Sequence, residues 1–117
     1  MQEGLFKALG KSSQGFEMSS DRRNGSHRVS LRGEMDMAVT DAVDREVRLA
    51  EASDASSIVL DLNRLEFMDA SGIHLLLNLD SRSRSNGGRL RITRATHPQV
   101  RRVFELTGVD ELLPFVD

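Results

Sequence analysis

The sequence predicts an α/β fold: one domain with a mixed β-sheet and helices packed on it. Three observations carry this. Asn24-Gly25 sits between two alternating segments and marks a β-hairpin. Ser57–Leu62 (SIVLDL) is a short, nearly continuous apolar run between polar stretches, as a buried central strand requires. From the hairpin onward, segments with apolar residues at helical spacing alternate with strand-like ones, which implies parallel βαβ units.

Taken in order, residues 1–15 (MQEGLFKALGKSSQG) are expected to form a flexible N-terminal extension, with the domain spanning 16–117. Both lysines of the chain, Lys7 and Lys11, lie in that extension. Phe16, Met18 and Ser20 alternate with polar neighbours and predict a first strand, followed by a turn over Asp21–Gly25. His27–Gly33 reads as the second strand, with Val29 and Leu31 on one face. Thr40 or Asp41 is expected to cap a helix reaching about Ser53, whose core face is Val39, Val43, Val47 and Ala50. The buried strand Ser57–Leu62 comes next, then a helix from Asp69 to about Ser85, stopped by Asn86-Gly87-Gly88. Arg89–Thr93 alternates like a strand with one solvated face. A third helix from Thr96/His97 to Thr107 has Pro98 in its first turn, Val100, Val103 and Phe104 on its buried face, and Gly108 at its end. Leu112–Val116 is expected to add a strand or a short helix.

Composition narrows the function. A chain of 117 residues with 38% hydrophobic and 29% charged residues has the makeup of one ordinary globular domain. A net charge of −2, with no Trp or Tyr to stack on bases, points away from nucleic acid. Cysteine is absent, which excludes disulfides and thiolate chemistry. His27, His74 and His97 are far apart in sequence, so no metal site is predicted. No glycine-rich phosphate loop is present, and no cofactor is expected. No run approaches the roughly 20 apolar residues that span a bilayer, and the N-terminus has no signal-like core. A cytoplasmic location is the expectation.

The most informative stretch is LEFMDASGIHLLL, Leu65–Leu77. On a helix from Asp69, Gly72, Leu75, Leu76 and Leu79 share a sheet-facing side, while Ser71, His74, Asn78, Ser81 and Arg82 share a solvated one. Ile73 and Leu77 fall on a third side with Asp80 and Arg84, as core edge or as the rim of a partner site. Asp69 is a natural N-cap. Ser71 is then either polar filler or a phosphorylation site, since a helix N-terminus accommodates a phosphate.

Several motifs together resemble a family. LRGEMDMAVTDAV (Leu31–Val43), IVLDLNRLEFMDASGIHLLL (Ile58–Leu77), NGGRLRI and HPQVRRVFELTGVDELL follow, in order, the pattern of STAS domains. The match runs from about Phe16 to the C-terminus and is most similar to the bacterial anti-sigma factor antagonists, or anti-anti-sigma factors. The resemblance implies a partner-switching protein and no enzyme. The unphosphorylated antagonist docks on an anti-sigma factor, often a serine-protein kinase of the histidine-kinase-like ATPase fold, and so frees a sigma factor for transcription. Phosphorylation of a hydroxyl at the start of the central helix ends the interaction, and a phosphatase resets it. Carried onto this chain, Ser71 is the phosphorylation candidate, and Asp69, Ala70, Ser71, Gly72, Ile73, His74 and Leu77 are the partner-binding candidates. Glu34 and Asp36, in the shared Gly-Glu-x-Asp pattern, join them, as helix caps or partner contacts. One departure stands out: the modified hydroxyl typically follows the aspartate directly, and here that position is Ala70. Either Ser71, which matches the family's second hydroxyl position, takes over the role or the protein binds without that control.

Three other readings compete. Asp61 or Asp69 at a strand end gives the chain a receiver-like look, but a receiver needs a lysine near its last strand. Ser71 and His74 at i, i+3 spacing suggest a nucleophile and base, with no third group to orient the histidine. STAS modules also serve as subunits of stress-signalling or lipid-trafficking assemblies, where the fold is kept and the partner differs.

Overall fold

The computed structural model describes residues 15–116, so the expected N-terminal extension lies, apart from Gly15, outside the described residues. The elements are β1 (Phe16–Arg23), β2 (Ser26–Met35), α1 (Thr40–Glu51), β3 (Ser57–Met68), α2 (Ala70–Ser85), β4 (Leu90–Thr93), α3 (Pro98–Thr107), a short 3-10 helix (Val109–Glu111) and β5 (Phe115–Val116). They build one five-stranded sheet in the order β1-β2-β3-β4-β5. The β1/β2 hairpin is antiparallel and every other pair is parallel, the mixed α/β sheet that the sequence predicts.

Strand alternation sends one set of side chains inward. Val29 and Leu31 of β2, Ile58, Leu60 and Leu62 of β3, and Leu90 and Ile92 of β4 join one buried cluster. Val43, Val47 and Ala50 of α1, Leu75, Leu76 and Leu79 of α2, and Val100 and Phe104 of α3 complete it. The other face of the sheet is polar. Arg28 pairs with Asp61 at 2.9 Å, the Thr93 hydroxyl donates to Asp61 at 2.9 Å, and Arg32 pairs with Glu17 at 3.1 Å. Burial disfavours charge on Asp61, but bonds from the Asn63 N–H, Thr93 and Arg28 outweigh it and hold the carboxyl below its usual range.

The β2 strand runs two residues past the expected Gly33, to Met35, and three larger departures from the sequence expectation accompany it. The β1 strand keeps Asp21–Arg23, leaving Asn24 and Gly25 as a two-residue turn with φ of 54° and 82°, the double left-handed geometry of a type I′ hairpin. The β3 strand runs on from Leu62 to Met68, because β2 stays paired to it through two register shifts. Those bulges expose Asn63-Arg64 and Glu66-Phe67 in consecutive pairs, which erases the alternation a sequence reading relies on. Gly33 lies at the second shift with φ 92°, and a Cβ there would sit 1.8 Å from the Gly15 carbonyl oxygen, so only glycine fits.

The third departure is at α1. Neither Thr40 nor Asp41 caps it; the N-cap is Val39, with no side-chain bond. Val39 is buried, so this position serves the core, and the turn before it is held locally. The Asp36 carboxylate accepts from the Ala38 N–H at 2.9 Å, and the Thr40 hydroxyl donates to the Met37 carbonyl at 3.2 Å. The helix stops at Glu51 rather than at about Ser53. Of the strand or short helix expected over Leu112–Val116 the strand occurs, as the two-residue β5 whose Phe115 packs on Phe104 at 5.4 Å between ring centroids, while a 3-10 helix precedes that span at Val109–Glu111.

A polar cluster ties the hairpin to α1. His27 Nε2 lies 3.3 Å from the Ser20 hydroxyl and 3.9 Å from Glu46, and that hydroxyl donates to the Glu46 carboxylate. Burial lowers the His27 pKa, outweighing the attraction of Glu46; Arg22 also lowers it and Asp21 raises it. The folded state therefore resists a proton that the unfolded chain accepts near pH 6.5. Stability from this group is complete above that pH and falls as pH drops through the window down to the lower folded value. Urea denaturation between about pH 7 and about pH 5 should show the midpoint falling in wild type and falling less in His27→Gln. Equal slopes in the two proteins would overturn this account of His27.

Candidate partner site at the head of the second helix

The β3 strand delivers the chain to α2 with one residue between them, Asp69. Its backbone is extended (φ −111°, ψ −170°), as an N-cap requires. The Asp69 Oδ1 accepts from the Ser71 N–H at 3.0 Å and from the Ser71 hydroxyl at 2.5 Å. Its carbonyl accepts from the Gly72 and Ile73 N–H groups, so one residue satisfies most of the first turn. Gly72 is needed for closeness: a Cβ there would lie 2.5 Å from Met68 Cγ. The serine and glycine at this helix head thus have separate reasons, one polar and one steric.

The Ser71 hydroxyl is committed to Asp69, so the nucleophile-and-base pairing with His74 suggested by their spacing is not formed. His74 is exposed. Ala70 is exposed, Ser71 half-buried and Gly72 buried. Ile73 is 7% exposed and belongs to the core, while Leu77 on the same side is 38% exposed. The third helix side therefore divides, and Ile73 is core rather than rim.

Ser71 opens into a groove of about 520 Å³ between α1 and α2, with Thr40, Asp41 and Asp44 on the α1 side and His74, Asn78 and Arg82 on the α2 side. Arg82, expected on the solvated face, is instead half-buried in a network. It reaches Asp44 at 2.9 Å and Glu51 at 2.9 Å, and Arg48 also pairs with Asp44 at 2.9 Å. Burial disfavours both charges, but the mutual hydrogen bonds outweigh it: the Arg82 pKa is raised, and that of Asp44 is lowered with help from Arg48. Both arginines of the groove are therefore paired with carboxylates, and among the described residues the buried Arg82 Nη2 has no hydrogen-bond partner.

Register places the remaining candidates. Met35 of β2 is paired with Met68 of β3, so Glu34 and Asp36 stand at the same end of the sheet as Asp69. Glu34 is exposed and caps nothing; Asp36 is half-buried in its turn. Sequence reasoning missed Met37, 74% exposed, and Phe67, 37% exposed, two large apolar side chains at this end. The available signal was apolar residues inside otherwise polar segments. It also missed Gln99 of α3, whose Oε1 accepts from the Met68 N–H at 3.2 Å and steadies the strand end; nothing in the sequence marked that contact. Among the described residues no group of three or more His, Asp or Glu side chains could hold a metal ion, and no helix is long and apolar enough to cross a membrane.

Comparison with known proteins gives concordant matches. The model of the family described as "Mlab, STAS domain" matches residues 18–114. The chain is 28% identical over 103 residues to an anti-sigma F factor antagonist of Paenibacillus polymyxa, covering 87% of each. Among solved structures it is similar to an anti-sigma factor antagonist from Mycobacterium paratuberculosis, with TM-score 0.73 and 24% identity, covering 89% of this chain and 87% of that one. It is also similar to the Bacillus cell fate determinant SpoIIAA in its phosphorylated form, with TM-score 0.63 and 22% identity, covering 86% of this chain and 91% of that one.

The capping geometry has a direct test. Asp69→Ala should lower stability by about 1 kcal/mol, and Asp69→Asn, a comparable cap, by only a few tenths. Ser71→Ala removes a donor the cap does not need and should stay within about 0.5 kcal/mol. Urea midpoints at constant slope measure all three, and a neutral Asp69→Ala would show that the carboxylate is not the cap.

Proposed function

The chain belongs to the STAS-domain family, and from that premise we propose that it is an anti-sigma factor antagonist. It docks on an anti-sigma factor, a serine-protein kinase of the histidine-kinase-like ATPase fold, and thereby releases a sigma factor in the cytoplasm. Its docking surface is the α2 head with the neighbouring sheet end: Asp69, Ala70, Ser71, Gly72, His74 and Leu77, flanked by Glu34 and Asp36. Relatives named as antagonists on two independent comparisons support the role.

The single observation that carries the switch is the Ser71 hydroxyl, half-buried, fixed on Asp69 and opening into the α1/α2 groove. The kinase transfers the γ-phosphoryl of ATP to Ser71 Oγ. The bond to ADP breaks, and the hydroxyl proton, which points at Asp69, is released. The product adds about −1.5 to −2 charges beside Asp69 and opposite Asp41 and Asp44. Arg48 and Arg82 are balanced by Asp44 and Glu51, so the groove has no net positive charge to offset the phosphate and Asp41 adds a negative one. A partner closing over it meets repulsion and a desolvation penalty, and a phosphatase restores binding. Ile73 supports this surface from the core and is not itself a contact.

Affinity capture from a lysate of the source organism, with wild type and Ser71→Asp as parallel baits, tests the reading. An ATPase-fold anti-sigma kinase should come down on wild type and at least about tenfold less on Ser71→Asp. The purified kinase with ATP should add one phosphate to wild type and none to Ser71→Ala by intact mass. The kinase bound equally to both baits would keep the antagonist and remove the switch. Lipid-trafficking or stress-assembly subunits in its place would overturn the sigma-factor reading and leave the same fold serving another partner.

A further inference from the structure

The sheet ends in β1, which pairs only with β2 among the described residues. In a two-residue hairpin the residues flanking the turn exchange main-chain hydrogen bonds, and such pairs then alternate. Arg23 pairs with Ser26, so Arg23, Asp21, Ser19 and Glu17 direct their main-chain groups toward β2. Phe16, Met18, Ser20 and Arg22 direct theirs to the open edge. That edge is eight residues long, has no proline, and carries no bulge against β2.

Charged side chains on an edge strand usually repel further strands. Here their order does the opposite for one partner, a second copy of the same strand. Side chains of Glu17, Ser19, Asp21 and Arg23 share the outer sheet face, since each lies opposite an outer residue of β2 such as Arg32 or Arg28. Two antiparallel copies centred on Ser20 would place Glu17 opposite Arg23 of the other copy, and Ser19 opposite Asp21. Shifting the axis to Ser19 sets Glu17 against Asp21, and shifting it to Asp21 sets Asp21 against itself. Shifts that swap the two sheet faces are forbidden by the inner burial of Phe16 and Met18. Of these three registers only the one centred on Ser20 sets unlike charges opposite each other. It pairs the strand from Glu17 to Arg23, and its main-chain pairs are those of Met18, Ser20 and Arg22.

We propose that β1 is a self-association edge, at which two copies join their sheets antiparallel about a two-fold axis through Ser20. The interface is isologous, so each contact occurs twice and the assembly closes as a dimer. This inference stands apart from the sigma-factor reading and holds or fails without it.

Sedimentation velocity of the full chain, from micromolar to near-millimolar concentration, tests it. Wild type should show a concentration-dependent dimer. Glu17→Arg sets Arg against Arg23 twice, and Arg23→Glu sets Glu against Glu17 twice; each should weaken dimerisation by about tenfold or more. Mixing the two variants pairs two arginines with two glutamates and should restore a dimer, now containing one copy of each. The double variant should dimerise like wild type. Circular dichroism checks that each variant is folded, and rescue on mixing reports a folded edge directly. A wild type that stays monomeric throughout, as when residues 1–14 or another protein own the edge, overturns the proposal. So does a dimer that both single variants leave unchanged.

Discussion

The candidate site depends on how closely α2 lies on the end of β3. Met68 is fully buried, its backbone is paired to Met35 on one side, and its N–H is held by Gln99 on the other. Gly72 crosses directly above it, where any Cβ would collide with Met68 Cγ. That contact sets the depth of the whole helix. Leu75, Leu76 and Leu79 follow on the same side, each worth roughly 1.5–3 kcal/mol when fully buried. The position of the Ser71 hydroxyl is therefore inherited from the core, and surface interactions near it have little say.

The sheet is built asymmetrically, and the two faces do different work. Stability lies inside, where β2, β3 and β4 meet the three helices in one apolar cluster. Outside, Arg28, Asp61 and Thr93 link three neighbouring strands through partly exposed polar contacts. Exposed pairs of this kind contribute about 0–1 kcal/mol each, too little to hold the strands together. Their value is in register, because a one-residue slip would bring these charges to the apolar face. The same alternation leaves β1 with a fixed set of outward charges, which is what gives its open edge a preferred partner.

Much of the fold was legible in the sequence because its signals are local. Asn24-Gly25 demanded a two-residue turn, Asp69 and Asn86-Gly87-Gly88 bracketed α2 to within a residue, and Val43, Val47 and Ala50 kept strict helical spacing. The misses came where a distant partner overrode a local rule. The second half of β3 hides its strand character behind two bulges that only pairing with β2 reveals. Val39 takes the cap position of α1 because the core needs a valine there, and the polar candidates beside it go unused. Arg82 looked solvated until α1 supplied Asp44 and Glu51. At the site, the Asp69–Ser71 relation was readable from spacing, whereas the acidic wall across the groove belongs to α1, about thirty residues earlier, and no short-range pattern announces it.

That wall gives the displaced hydroxyl its meaning. Each step along a helix turns the side chain by about 100°. Position 70, where the family typically carries its hydroxyl, faces solvent at the end of the helix, and here it holds an alanine. Position 71 turns instead toward α1, into the groove shared with Thr40, Asp41 and Asp44. Under the proposed function a phosphate at 71 is felt between the two helices and not at the tip. The helix dipole would stabilise it by about 0.3–1 kcal/mol. Against this stand Asp69 in direct contact and Asp41, while Asp44 and Glu51 balance the two arginines. A partner that touched only the sheet end would sense little of this. Under that reading the docking surface at the α2 head and sheet end extends across the groove, and a partner regulated through Ser71 also meets the Asp41–Asp44 side of α1.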